Sequence, residues 1–139
     1  MVNEQRKLKI EAKVDNLQTV MDFVDSELEK MGASMKVQMQ MDLAVEELFV
    51  NIASYAYPDS VGDAQIVVEQ DQEEKALHVS FIDWGQEYNP LEKEDPDITL
   101  SANDRQIGGL GIFMVKKNVD AIEYEYSQGR NIVSIVKKI

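Results

Sequence analysis

Turn-forming residues are gathered into one stretch of this chain. Four of its seven glycines lie between Gly85 and Gly111, and two of its three prolines, Pro90 and Pro96, lie there too. On either side, apolar-periodic segments are separated only by short polar turns. Such a chain has to build its core from elements that flank one long irregular segment. A loop of that length inside a compact domain is usually functional. At 139 residues the expectation is a single domain spanning 1–139, and 44% hydrophobic residues give it enough apolar material to fold without staples.

Before the long segment, Leu8, Ile10 and Ala12 alternate with charged residues and predict a strand over Lys7–Lys13. A helix is expected from Leu17 to about Met31, capped by Asp15 or Asn16 and stopped near Gly32, with Leu17, Val20, Met21, Val24, Leu28 and Met31 as its apolar stripe. A second helix follows Ser34 and runs to about Tyr55, with Pro58 as the stop. Ala64–Gln70 and Ala76–Ile82 read as strands joined by the polar turn Asp71–Glu74. After the long segment come a short helix near Gly111–Val119 and two strands, Ala121–Ser127 and Asn131–Lys138, joined at Gln128–Gly129. The order β-α-α-β-β-loop-α-β-β predicts an α+β fold of two layers. Its mixed, largely antiparallel sheet is covered on one face by helices.

Composition removes several function classes. Cysteine is absent, which excludes disulfides, thiolate metal sites and cysteine nucleophiles. Fourteen basic against twenty-six acidic residues leave a net charge of −12, which repels a nucleic-acid backbone. The longest wholly apolar run is Ile112–Val115, so no membrane span is expected. The first seven residues carry no apolar stretch of signal-peptide type, and a cytoplasmic protein is expected.

The second helix carries a polar pair at the edge of its apolar face. Val37, Met41, Ala44, Val45, Leu48 and Ile52 form the stripe. On the helical wheel Asn51 projects about 20° from Ala44, and Glu47 lies about 40° further round. Four residues apart, Glu47 and Asn51 share one face, whereas Glu46 points nearly the opposite way. Spacing alone does not separate a chemical pair from a partly solvated boundary pair. The long segment adds to it. Asp83-Trp84-Gly85 opens directly after an apolar strand, and Gly108-Gly109-Leu110-Gly111 closes directly before a helix. Glycines at a helix start let backbone N–H groups approach a phosphate, which the helix dipole favours, although a flexible turn and cap would look alike. Neither the Gly-Lys-Ser/Thr of a Walker loop nor Gly-x-Gly-x-x-Gly is present.

Taken in order, a helix with Glu-x-x-x-Asn, Asp-x-Gly after a strand, and Gly-Gly-Leu-Gly-Ile opening a helix resemble the ATPase superfamily of gyrase, histidine kinases and MutL. Within it, the chain is similar to the small stand-alone serine kinases that act as anti-sigma factors in bacteria. The matching stretches are Leu43-Ala-Val-Glu-Glu-Leu-Phe-Val-Asn51, Ile82-Asp-Trp-Gly-Gln-Glu-Tyr-Asn-Pro90 and Ile107-Gly-Gly-Leu-Gly-Ile-Phe-Met-Val115, and Gly129-Arg130-Asn131 also fits. The resemblance runs from about Leu8 to Lys138 and implies the Bergerat-type ATP-binding fold.

The resemblance implies ATP and Mg²⁺ as cofactors. Asn51 would hold the metal and Glu47 would be the catalytic base toward a partner's serine. Asp83 would accept from the adenine amino group, and Gly85 would leave room for the base. Gly108, Gly109 and Gly111 would line the phosphates, with Leu110 and Ile112 in the same ATP-binding turn. Residues from about 91 to 107 would form the lid, and Arg105 would contact phosphate or partner. The implied partners are a sigma factor or similar regulator and a small antagonist protein as substrate; dimerisation is typical of this family.

Two positions depart from the family pattern. Glu87 stands where a second glycine is usual, and Tyr55 where histidine is common. Those departures motivate an alternative: a nucleotide-responsive protein-binding module with little or no kinase activity. The catalytic half of a two-component histidine kinase fits the boxes, but no phosphoacceptor histidine is expected ahead of Lys7. The sole histidine, His78, alternates within a strand and reads as structural or surface. Met31, Met35, Met39 and Met41 are expected to fill the core where the first two helices meet. Trp84 is expected to pack, and Glu92, Glu94, Asp95 and Asp97 to be solvated parts of the lid.

Overall fold

The computed structural model describes residues 5–92 and 109–139. Its strands are β1 (Gln5–Glu11), β2 (Asp63–Asp71), β3 (Ala76–Asp83), β4 (Ala121–Ser127) and β5 (Arg130–Lys138), in the order β1-β2-β3-β5-β4. The α-helices are α1 (Leu17–Lys30), α2 (Met35–Tyr55) and α3 (Gly109–Asn118). The fold is α+β, as the element order implied. All four strand pairings among the described residues are antiparallel, so the sheet they form has no parallel component. β5 inserts between β3 and β4, so the crossover through α3 joins two strands that run the same way without touching.

The boundaries have local causes. β1 lies two residues earlier than the alternation suggested, because Ala12 leaves the ladder to donate its N–H to Gly62 O at 2.8 Å and is buried there. α1 ends where Gly32 takes φ +75°, a left-handed stop that glycine adopts without penalty. Ser34 Oγ accepts the Val37 N–H at 3.2 Å and starts α2. Gln128 and Gly129, at φ +56° and +76°, make the two-residue turn that twists β4 onto β5.

Burial alternates along β2 and β5, as it must for a sheet with one covered face. The covered face meets Val20, Val24 and Leu28 of α1, Met41, Ala44, Val45, Leu48, Phe49 and Ile52 of α2, and Ile112 and Val115 of α3. Two methionines expected in the core are not there. Met41 is buried, but Met35 and Met39 are 76% and 66% exposed. Met39 lies about 160° round the wheel from Met41, so no core-facing helix could bury both. His78 is surface-exposed, with Nε2 3.7 Å from Asp71 Oδ2.

The contact between α1 and the sheet contains a buried charge. Glu27 is 1% exposed and accepts from Arg6 Nη1 at 2.5 Å, Gln70 Nε2 at 2.8 Å and Lys30 Nζ at 3.3 Å. Burial pushes its carboxyl up, but those three donors outweigh it and hold it below the usual glutamate value. The α1–α2 contact is the opposite case. Asp25 faces Asp42, and among the described residues its buried Oδ1 has no hydrogen-bond partner. Burial first, then the hydrogen bond and charge of Asp42, push Asp25 from 3.8 up to about 7. The folded state therefore holds this proton more tightly than the unfolded chain. The stability it gives is complete below 3.8 and is lost as the pH rises through about 7. Urea denaturation across that window should show wild type losing stability relative to Asp25→Asn as pH rises; parallel curves would contradict the shared proton.

Candidate nucleotide site

β3 ends at Asp83, directly opposite Asn131 at the start of β5. Both side chains sit on the covered face, 5% and 3% exposed. Asn131 Nδ2 donates to Asp83 Oδ1 at 2.9 Å and to Gln86 O at 2.8 Å. Its Oδ1 accepts from the Tyr88 N–H at 3.0 Å and the Tyr124 hydroxyl at 2.5 Å. An asparagine amide has two N–H donors and two acceptor lone pairs, so its capacity is filled. The amide cannot be flipped without setting its oxygen against the carboxylate of Asp83. Asp83 Oδ1 also accepts the Gly85 N–H at 3.0 Å. Burial pushes the Asp83 carboxyl up, against the pull of the Asn131 and Gly85 bonds.

The turn after Asp83 is sewn to the end of α2. The last carbonyls of a helix have no partner within it. Here Gln86 Nε2 donates to Tyr55 O at 2.6 Å and Gln86 N to Ala56 O at 2.9 Å. The Trp84 N–H donates to the Tyr57 hydroxyl at 2.9 Å, and that hydroxyl donates to Asp63 O at 2.6 Å. A Cβ at Gly85 would overlap the carbonyl of Ala56. The space that Gly85 leaves is thus taken by the backbone of Ala56, whereas the family resemblance implied room there for a bound base.

Between α2 and this turn lies a pocket of about 390 Å³, counting the space at its open mouth. Leu48, Asn51, Ile52, Tyr55 and Ala56 form its α2 wall, one helical face at successive turns. Phe81 and Val133 line it from the sheet, with Asp83 and Asn131 at its polar end. Tyr55 stacks on Tyr88, centroids 5.5 Å apart. The sequence departure at 55 is therefore one half of an aromatic pair on the pocket wall.

Asn51 and Asp83 thus share one pocket. Glu47, one turn earlier on the same face of α2, meets the third box: a Cβ at Gly111 would overlap its Oε2. The first turn of α3 thus lies directly against the Glu47 carboxylate. Glu47 is half-buried while Glu46 is exposed, and burial, then the charge of Glu46, pushes the Glu47 carboxyl up. A raised carboxyl suits a proton acceptor working near neutral pH. α3 begins at Gly109, two residues before the expected start, so Gly109, Leu110 and Gly111 form its first turn, where N–H groups lack helical partners. Ile112 points its side chain into the core, which leaves only its backbone for a ligand. Gly108, Arg105 and most of the expected lid lie outside the described residues. Trp84 is 41% exposed beneath the Lys9 ammonium, 5.0 Å from the ring centroid, and does not line the pocket. Among the described residues no three His, Asp or Glu side chains gather to hold a metal. An ion bound by the Asn51 amide would therefore draw most of its shell from phosphate and water, as Mg²⁺ commonly does.

The roles of Asn131, Tyr57 and Tyr88 were not read from the sequence. The only signal was Asn131 within Gly129-Arg130-Asn131, which had no role attached.

Residues 10–137 match the profile of the histidine kinase-like ATPase domain. The chain belongs to that family. It is similar to the serine/threonine-protein kinase BtrW of Bordetella bronchiseptica, 26% identical over 103 residues that cover 73% of this chain and 71% of the relative. It is also similar to the serine-protein kinase RsbW of Bacillus cereus, 22% identical over 132 residues that cover 94% and 82%. Among solved structures, the RsbU and RsbW domains of a Mycobacterium tuberculosis protein align with TM-score 0.66 at 17% identity, over 96% of this chain. The histidine kinase domain of a blue-light-activated kinase from Erythrobacter litoralis aligns with TM-score 0.59 at 16% identity, over 89% of this chain. This chain spans 32% of the first of those chains and 59% of the second. They share its fold. In the described residues of this family member no helix is long and apolar enough to cross a membrane.

Gly85→Ala should cost about 1–3 kcal/mol, because the methyl must displace the backbone at the end of α2. Urea denaturation reads this directly; unchanged stability would mean that the turn does not press on α2.

Proposed function

We propose that this protein is an ATP- and Mg²⁺-dependent protein serine kinase of the anti-sigma type, acting in the cytoplasm. Its partners would be a sigma factor or comparable regulator and a small antagonist protein that it phosphorylates. The observation that carries this reading is the shared face of α2: Asn51 in the Asp83 pocket, and Glu47 one turn away against Gly111. The names of the relatives support the reaction class.

In this reading Asp83 accepts a hydrogen bond from the adenine amino group while Asn131 holds the carboxylate in place. The N–H groups of the Gly109–Gly111 turn receive phosphate oxygens; the family resemblance adds Gly108 to that role and makes Arg105 a contact to phosphate or partner. The amide oxygen of Asn51 would hold Mg²⁺, which would supply neutralisation of phosphate charge. Glu47 takes the proton of the partner's serine hydroxyl as that oxygen bonds to the γ-phosphorus, the bond from that phosphorus to the β-phosphate oxygen breaks, and ADP leaves. A positioned base of this kind is worth about 10²–10⁴-fold in rate.

The test is to incubate the protein with labelled ATP, Mg²⁺ and a small antagonist protein of the kind these kinases phosphorylate. Wild type should transfer label, and Glu47→Gln should lose about 10²–10⁴-fold in transfer while still binding ATP. No transfer by wild type, or undiminished transfer by the variant, would overturn the assignment of the base.

A second reading, a nucleotide-responsive binding module with little catalysis, is favoured by Tyr55, whose ring joins Tyr88 in the pocket wall where these kinases commonly carry histidine. Calorimetry with ATP beside the transfer assay separates the two: tight nucleotide binding without transfer to any antagonist selects the module.

A further inference from the structure

A second cleft opens on the far side of Tyr88. Glu87, Tyr88, Asn89 and Glu92 line it from the segment after β3, and Tyr124 and Tyr126 from β4. It holds about 730 Å³ of space, counting that at its mouth. Three tyrosines and two carboxylates thus face one hollow, and no lysine, arginine or histidine is in its wall among the described residues. Neither Glu87 nor Glu92 belongs to an ion pair among the described residues.

The cleft is built rather than incidental. Asn131, itself buried, accepts from the Tyr88 N–H and from the Tyr124 hydroxyl through the same oxygen, which fixes the two walls relative to each other. Asn89 folds the lower rim: its Oδ1 accepts the Leu91 N–H at 2.9 Å and its carbonyl accepts the Glu92 N–H at 3.3 Å. That turn brings Glu92 into the same cleft as Glu87, five positions earlier.

We propose that this cleft binds the guanidinium of an arginine side chain projecting from a partner protein. A phosphate or carboxylate ligand would meet two like charges. A metal ion would find two carboxylates amid aromatic rings, too few hard donors for a protein-held site. A guanidinium matches each part of the wall. It is planar and weakly hydrated, it lies against aromatic rings, and it takes carboxylates through two parallel N–H bonds. Lysine offers only a compact, strongly hydrated charge and should be the poorer occupant. The net charge of −12 draws cationic surfaces toward the molecule as a whole. Because Tyr88 stands between this cleft and the Asp83 pocket, the proposal does not depend on phosphoryl transfer.

The test is an NMR titration of the full chain with N-acetyl-arginine amide, N-acetyl-lysine amide and the uncharged isostere N-acetyl-citrulline amide. The arginine probe should give saturable shifts at the backbone of Glu87–Asn89 and Glu92 and at the Tyr124 and Tyr126 rings, with a dissociation constant of about 1–10 mM, as expected for one side chain. The lysine probe should bind more weakly, citrulline should leave those signals unmoved, and Glu87→Gln with Glu92→Gln should weaken the arginine probe at least about tenfold. Both changes remove charge from exposed side chains and keep their shape, so the variant should retain native signal dispersion. Equal shifts with citrulline, no shifts with arginine at about 50 mM, shifts confined to other surfaces, or wild-type binding by the folded double variant would each overturn the proposal.

Discussion

A carboxylate shut away from water at the end of a strand persists only if donors replace the solvent it has lost, and for Asp83 those donors are Asn131 and the Gly85 N–H. A hydrogen bond to a charged group is worth about 1.5–3 kcal/mol, and an unmet one costs at least as much. Asn131 spends its remaining capacity on Gln86, Tyr88 and Tyr124. One amide therefore fixes the acceptor in the pocket, the course of the chain beyond it and the edge strand β4. The pocket and the acidic cleft are two sides of that one node.

α2 supplies the other half of the arrangement. Its buried face fastens it to the sheet, and the border of that face carries Glu47 and Asn51 at fixed spacing. Its carbonyl end is closed by Gln86 from the turn after Asp83, so the helix and the turn hold each other. Glycine is required where backbones meet at Gly85, and at Gly111 the first turn of α3 lies against the Glu47 carboxyl. The polar groups of the site thus rest on rigid elements, the condition for holding donors and acceptors in place before a ligand arrives.

Much of the fold was legible because it is periodic. The stripes Val20-Val24-Leu28 and Met41-Ala44-Val45-Leu48 could serve only helices, and Gly129 marked the last hairpin. Glu47 and Asn51 were legible too, since four residues on a helix fix a common face. The polar contacts missed share a cause, which is that they depend on which segments become neighbours. Asn131 and Asp83 lie 48 positions apart and meet only through strand register. Glu27 is buried because Arg6 and Gln70, on two strands, reach it from 21 and 43 positions away. Met35 and Met39 failed differently. Their position on the wheel points outward, and that angle decides their exposure despite their hydrophobicity.

The central claim is that the Asp83 carboxylate, held by Asn131, reads the amino edge of an adenine. Guanine carries a carbonyl oxygen at the corresponding position, which would set acceptor against acceptor, and a site built to pair with a donor rejects a ligand lacking it strongly. Calorimetric titration of the protein with ATP and with GTP, both in Mg²⁺, measures this directly. The account predicts that ATP binds at least about tenfold more tightly than GTP. Equal affinities, or no binding of ATP, would contradict it.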